Sequence, residues 1–254
     1  MSLPPQWIVP DWPAPQRVRA LITTRSGGVS NAPYAGLNLG SHVGDKSAAV
    51  ECNRNLLAAH LPAAPRWLEQ VHGTEVACAD SLADGEIAVA DAAYARGPDV
   101  VCAVLTADCL PVLLCDLDGR VVAAAHAGWR GLLGGVLERT VEAMAVPPGR
   151  LLAWLGPAIG PAAFEVGSEV REAFVARDAG AAEAFVAGQQ ADKWMADIYR
   201  LAARRLAAVG VERVFGGGLC TVSDRARFYS YRRDGVTGRF ASLVWIDSGE
   251  APVY

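Results

Sequence analysis

The sequence predicts a mixed domain, α+β or layered α/β, and three observations carry that reading. Apolar runs of strand length crowd the middle of the chain, and segments with helical apolar spacing stand around them. The two kinds do not alternate with the regularity of a barrel. No internal repeat, low-complexity stretch or long linker interrupts the 254 residues, so one domain over 1–254 is expected, with a Pro-rich segment over 1–16.

The elements follow in order. Residues 17–24 read as a strand with Val18, Ala20 and Ile22 on one face. Residues 25–44, rich in Gly, Ser and Asn, form a long loop, and such a loop costs entropy without adding core unless it has a function. Val50, Leu56, Leu57 and Leu61 give residues 46–61 helical spacing. Residues 99–106, 111–115 and 120–125 are near-continuous apolar runs, the pattern of strands buried on both faces, with Asp118-Gly119 as a turn between the last two. Residues 131–144 read as one helix and 151–155 as another buried strand. Ser168 is expected to cap a helix. Asp192 is expected to cap a longer one, ending before Gly210 and carrying Trp194, Ile198, Leu201 and Leu206 as its stripe. A late strand over 239–246 completes the set.

Composition excludes several function classes. With 52% hydrophobic and 20% charged residues, the chain is too apolar for disorder. Its longest uncharged apolar stretch, 151–164, is broken by Pro157 and Pro161 and falls short of the roughly 20 residues of a spanning helix. A net charge of −4 does not fit a nucleic-acid binder, which carries a basic face. The Pro-rich start has no basic residue before Arg17 and no apolar signal region. It predicts a cytoplasmic protein whose six cysteines are thiols.

Three residues stand where strand-like runs stop. His72 lies in Glu69-Gln70-Val71-His72-Gly73-Thr74, at a glycine-marked break. Cys109 follows Thr106-Ala107-Asp108, and His126 lies in Ala124-Ala125-His126-Ala127-Gly128-Trp129-Arg130-Gly131, where a strand leads into a helix. Ends of buried strands are where open α/β sheets gather ligand sites. Two imidazoles and a thiolate suit zinc, and three protein ligands leave a fourth position open for catalysis. The separations, 37 residues from His72 to Cys109 and 17 from Cys109 to His126, are not local metal-binding spacings. Taken alone they fit hydrogen-bonded core histidines and an inert cysteine better. Asp108 can orient a ligand, shuttle a proton or bond local amides. Arg25-Ser26-Gly27-Gly28, Gly128-Trp129-Arg130-Gly131 and Arg232-Arg233-Asp234-Gly235-Val236-Thr237-Gly238-Arg239 each join arginine to glycine. That combination lets backbone and guanidinium grip a small anion such as phosphate.

Seven motifs together resemble a known family. They are Arg25-Ser26-Gly27-Gly28-Val29-Ser30, Leu37-Asn38-Leu39-Gly40, Gln70-Val71-His72-Gly73, Thr106-Ala107-Asp108-Cys109-Leu110-Pro111, His126-Ala127-Gly128-Trp129-Arg130-Gly131, Gly156-Pro157-Ala158-Ile159-Gly160-Pro161 and Tyr229-Ser230-Tyr231-Arg232-Arg233-Asp234. In order and content they are similar to the YfiH-type family, whose members have been labelled laccase-like polyphenol oxidases and purine nucleoside phosphorylases. The resemblance implies a fold of stacked mixed sheets flanked by helices, and zinc held by His72, Cys109 and His126. It implies phosphorolysis of adenosine, inosine, guanosine and methylthioadenosine, and hydrolytic deamination of adenosine. Purine nucleosides and phosphate are then the partners. Arg25 and Arg130 are the first candidates for the anion, followed by Arg232 and Arg233, and Asn38 is a further substrate-binding candidate. Asp108 joins the three ligands as a catalytic candidate.

The resemblance leaves rivals standing. Cys109 with His126 or His72 as base also describes a cysteine hydrolase, a role in peptidoglycan editing among them. Copper can occupy a zinc site in vitro. Laccase chemistry needs more histidines than the four present, and His42 and His60 lie in no recognisable motif. A nucleoside-binding protein without turnover is the non-enzymatic alternative. Glu165, Cys220, Tyr229 and Tyr231 are weaker site candidates.

Overall fold

The computed structural model describes residues 3–249, so residues 1–2 and 250–254 of the expected domain lie outside the described residues. The chain enters β1 (Val18–Ile22), crosses the long loop and forms α1 (Ser47–Ala58). Short strands follow: β2 (Leu68–Glu69), β3 (Val76–Cys78), β4 (Ala88–Val89) and β5 (Ala92–Ala95). The apolar middle becomes β6 (Cys102–Thr106), β7 (Leu110–Asp116) and β8 (Val122–Ala127). Next come α2 (Trp129–Gly134), α3 (Val136–Met144) and β9 (Leu151–Leu155). The last third holds β10 (Glu165–Gly167), α4 (Ser168–Arg177), β11 (Phe185–Ala187), β12 (Lys193–Ala196) and α5 (Ile198–Ala208). It ends with β13 (Arg213–Gly216), α6 (Tyr231–Asp234) and β14 (Phe240–Ile246).

A six-stranded mixed sheet, ordered β13-β9-β7-β8-β5-β3, is the centre of the fold. A three-stranded antiparallel sheet, β1-β14-β6, joins strands from both ends of the chain. Period-two alternation then sorts side chains into layers. In β7, Leu110, Val112 and Leu114 pack with Leu137 and Val141 of α3 and Leu201 of α5, while Leu113 and Cys115 face the opposite way. On that second side they meet Val104 of β6 and Val244 of β14, which makes the two sheets stack. The far face of β14, through Ala241, Leu243 and Trp245, packs on Leu57 of α1 and on Leu37 and Leu39 of the long loop. Four layers result, and both sheets are covered on both faces. The continuous apolar runs are the sequence image of that arrangement. In β8 the side chains Ala123, Ala124, Ala125 and Ala127 are fully buried, and their small size lets helix and second sheet close on the strand from either side.

Three local readings need correction. Residues 131–144 belong to two helices, since Gly135 at φ 109° ends α2 and begins α3. Ser168 does not cap α4 but is its first residue; its hydroxyl donates to the Asp192 carbonyl and accepts from Trp194 Nε1 at 3.0 Å. Asp192 caps nothing either. It sits at φ 62° in the turn between β11 and β12, and Trp194 belongs to β12, where Arg171 stacks on its ring. The cap of α5 is Asp197, whose carboxylate accepts from Arg200 N at 3.1 Å. Ile198, Leu201 and Leu206 do form the buried stripe of that helix. No described helix is long and apolar enough to cross a membrane.

Candidate metal centre

The turn from β6 into β7 carries Asp108 at φ 95° and presents Cys109, immediately before β7 begins. His126 is near the end of β8, paired with Pro111 of β7, which places it one strand away from the cysteine. His72 comes from the loop between β2 and β3 and adopts φ 60°, a conformation costly for a residue with a Cβ. One donor atom from each of the three lies within 4.8 Å of the other two. Cys109 Sγ stands 3.7 Å from His72 Nε2, and the two imidazoles meet edge to face with centroids 4.8 Å apart. Gly128 is required beside them, because a Cβ there would stand 2.8 Å from His72 Cδ2 and 3.0 Å from Cys109 Sγ.

Asp91, fully buried ahead of β5, ties this cluster together. Its Oδ1 pairs with His126 Nδ1 at 2.7 Å and accepts from His72 N at 2.9 Å. Its Oδ2 accepts from Gly73 N at 2.6 Å and Val71 N at 3.2 Å. Burial alone raises a carboxyl pKa, but the His126 ring and these amides outweigh it and hold Asp91 below the usual carboxylate range. Cys109 and His126 shift in opposite directions. Burial opposes both charges, yet the imidazolium of His126 brings the thiol down to about 6. The thiolate and Asp91 together bring His126 up to about 9. Each group thus favours the charged form of the other.

Two imidazoles, a thiolate and a carboxylate behind one of the rings are the donor chemistry of a zinc or related transition-metal site. Among the described residues only this group of histidine, cysteine or carboxylate side chains is close enough to hold an ion, and it suffices for one. The cluster forms the wall of a cavity of about 500 Å³. The lining holds apolar and aromatic side chains, among them Leu105, Ile159, Phe164, Trp129 and Tyr231. Arg130, Arg232 and Arg239 stand among them as its cationic groups.

The remaining sequence candidates divide by location. Arg130 lies over the Trp129 ring at 4.5 Å, and Arg232 donates to the Ala163 carbonyl at 3.3 Å, both in the lining. Asp108 also lines the cavity, but its carboxylate accepts from Thr221 Oγ1, Ser230 Oγ and Arg232 N, at 2.5, 3.1 and 2.6 Å. It thereby pins the 221–232 segment to the turn that presents Cys109. Arg25, Asn38 and Arg233 lie outside the lining. Arg25 stacks on Tyr229 and donates to the Arg225 carbonyl. Arg233 donates to the carbonyls of Thr221, Val222 and Phe228. Buried Asn38 bonds Asp45 and accepts from Arg239 N at 2.9 Å, so it acts on the cavity only through Arg239. Tyr231 lines the cavity, whereas Glu165, Cys220 and Tyr229 do not.

Sequence reasoning missed four residues here. Gln70 clamps the backbone of Leu105 with both ends of its amide, at 2.7 and 2.9 Å. His42, from the long loop, lines the cavity and is held below the usual imidazole range by burial and then by Arg239 and Arg54. Arg239 had a signal in its glycine-rich motif. Asp91 had one as well, being a lone acid between Ala90 and Ala92 in a run that becomes buried.

Comparisons with known proteins agree with this architecture. A family model described as multi-copper polyphenol oxidoreductase laccase matches residues 19–247. A Pseudomonas aeruginosa protein named purine nucleoside phosphorylase PA4543 is 60% identical over 240 residues, covering 94% of this chain and 98% of that protein. The Escherichia coli protein named purine nucleoside phosphorylase YfiH is 57% identical over 243 residues, covering 94% and 98% respectively. The crystal structure of Neisseria meningitidis protein NMB0706, 52% identical, superposes with a TM-score of 0.91 over 96% of this chain and all of that one. With that match along nearly its whole length, the chain belongs to the YfiH-type, laccase-like family.

Proposed function

We propose that the chain is a zinc-dependent purine nucleoside phosphorylase acting on adenosine, inosine, guanosine and methylthioadenosine, with adenosine deaminase activity. One observation carries the reading: the His72–Cys109–His126 cluster stands in a cavity lined by both aromatic and cationic side chains, with Arg130 over the Trp129 ring and Arg232 over the Phe164 ring. A purine nucleoside and phosphate need both kinds of group in one cavity. The names of relatives at 57–60% identity support the same class.

In phosphorolysis a phosphate oxygen bonds to ribose C1′ while the C1′–N9 bond breaks. Its electron pair leaves with the base, which takes up a proton. Arg130, Arg232 and Arg239 hold and orient the phosphate, and Trp129, Phe164 and Tyr231 flank the flat base. Asp108 acts through the backbone, fixing the segment that carries Arg232. His72, Cys109 and His126 would hold the ion, and zinc there supplies Lewis acidity toward water or a substrate nitrogen. Our placement of the reaction is the cytoplasm, where Cys109 stays reduced.

Incubation of adenosine with and without phosphate tests the proposal. Adenine and ribose 1-phosphate should appear only with phosphate, and inosine in either case. Neither product from metal-loaded protein would overturn the activity. A cysteine hydrolase with Cys109 as nucleophile draws on the same thiolate–imidazolium pair, and metal analysis separates the two. About one zinc per chain, lost in both His72→Ala and Cys109→Ala, is expected for a three-ligand site; full retention by His72→Ala would sink the ligand assignment.

A further inference from the structure

We infer that Asp91 is the positioning residue of the metal centre. It aims two of the three ligands and determines which nitrogen of His126 is left to bind. The inference rests on the metal reading above.

Asp91 is fully buried, and its two oxygens face four donors from two separate segments. Three of those donors are the successive amides of Val71, His72 and Gly73, the turn in which His72 takes its positive φ. The fourth is the His126 ring, through Nδ1 at 2.7 Å. The main-chain carbonyl of the same residue accepts from His126 N, also at 2.7 Å. One residue therefore grips His126 by ring and backbone, and holds the His72 turn as well. With the Nδ1 proton committed to a carboxylate, Nε2 keeps its lone pair, and the opposite tautomer would place a proton where a ligand bond must form.

Asparagine shows why the carboxylate is needed. Its amide has one accepting oxygen and an NH2 that only donates, against four donors at this site. If the NH2 faces the amides, the 71–73 turn loses its anchor. If it faces the ring, His126 must accept at Nδ1 and carry its proton on Nε2. Either arrangement spoils one ligand.

The test is a titration of metal-stripped protein with cobalt, followed by the cysteine-to-cobalt charge-transfer band, with zinc affinity from competition against a chromophoric chelator. Asp91→Asn should bind about 10- to 100-fold more weakly than the wild type. Asp116→Asn is the control, since that buried carboxylate bonds Arg120 N and Val121 N and has no route to the cluster. It should leave affinity unchanged whatever it does to stability. Equal affinity in Asp91→Asn and wild type would overturn the inference. Wild type that binds no cobalt would instead overturn the metal centre itself, and the role of Asp91 with it. A variant that fails to fold does not block the question, because zinc-loaded wild type answers it by long-range ¹H–¹⁵N correlation of His126. A proton on Nδ1 and none on Nε2 is expected, and the reverse pattern would overturn the inference.

Discussion

At the scale of single residues, the site depends as much on a missing side chain as on those present. Gly128 has an ordinary φ of −60°, so its constraint is space alone. A methyl group there would stand 2.8 Å from one ligand and 3.0 Å from another, closer than carbon tolerates without movement. Gly128→Ala should therefore push His72 and Cys109 out of register and weaken zinc by about tenfold, with about 1 kcal/mol lost at this helix N-cap. Chelator competition and a thermal melt on one sample would separate the two effects; unchanged affinity would show that the ligands have room to yield. The sequence marked His72, Cys109 and His126 because each stands where an apolar run stops. Asp91 showed only as a lone acid in an apolar run, because its role lies in partners 18 to 35 positions away, Gly73 and His126 at the two extremes. Arginine placement was illegible for the same reason. Arg25 and Arg233 sit in motifs as suggestive as that of Arg239, and all three guanidinium groups donate to backbone carbonyls, yet only Arg239 does so from the cavity lining.

At the scale of elements, alternation and helical spacing located most strands and the buried face of α5, because those patterns are local. The break between α2 and α3 was hidden by Leu132, Leu133, Val136, Leu137 and Val141, whose spacing continues across it. The reason for the break lies in the tertiary structure. It lets α2 begin at the cavity with Trp129 and Arg130 while α3 lies against β8 and buries Leu137, Val141 and Met144. Gly135 takes φ 109° to turn between the two directions, and a Cβ there would meet its neighbours no closer than 3.5 Å. Gly135→Ala should accordingly cost backbone strain alone, about 1–3 kcal/mol. In a chain of this size each kcal/mol lowers Tm by about 2–4 °C. Zinc stoichiometry should stay at the wild-type value, in contrast to the behaviour expected of Gly128→Ala. A melt unchanged from wild type would mean that the turn is not strained. The Asp192 misreading has a local origin, since a capping residue type close before an apolar pair fits a turn between short strands as well as it fits a helix start, while Ser168 is displaced by one position because Gly167 takes the cap.

For the whole molecule, the high apolar share builds two stacked sheets covered on both outer faces, and the candidate metal centre sits where strands of both sheets and an adjoining loop end. Cys109 follows a strand of the smaller sheet and opens one of the larger, and His126 belongs to the larger. The ligands are thus fixed by a core that exists without the ion. Asp91 and Asp108 satisfy the surrounding loops from within the protein, which a metal-dependent miniature fold cannot do. Removal of zinc should then loosen the protein rather than unfold it. Far-UV circular dichroism at 25 °C should be unchanged by a chelator. On the proposed reading zinc binds the native state, and mass action at about 100 times Kd then adds about 2.7 kcal/mol, a rise in Tm of about 5–11 °C. Cys109→Ala, lacking one ligand, should melt near the chelated wild type and respond little to added zinc. Unfolding of the wild type on chelation would show that the ion, and not the stacked sheets, brings the three ligands together. A zinc-independent Tm in the wild type would remove the ion from the native site altogether.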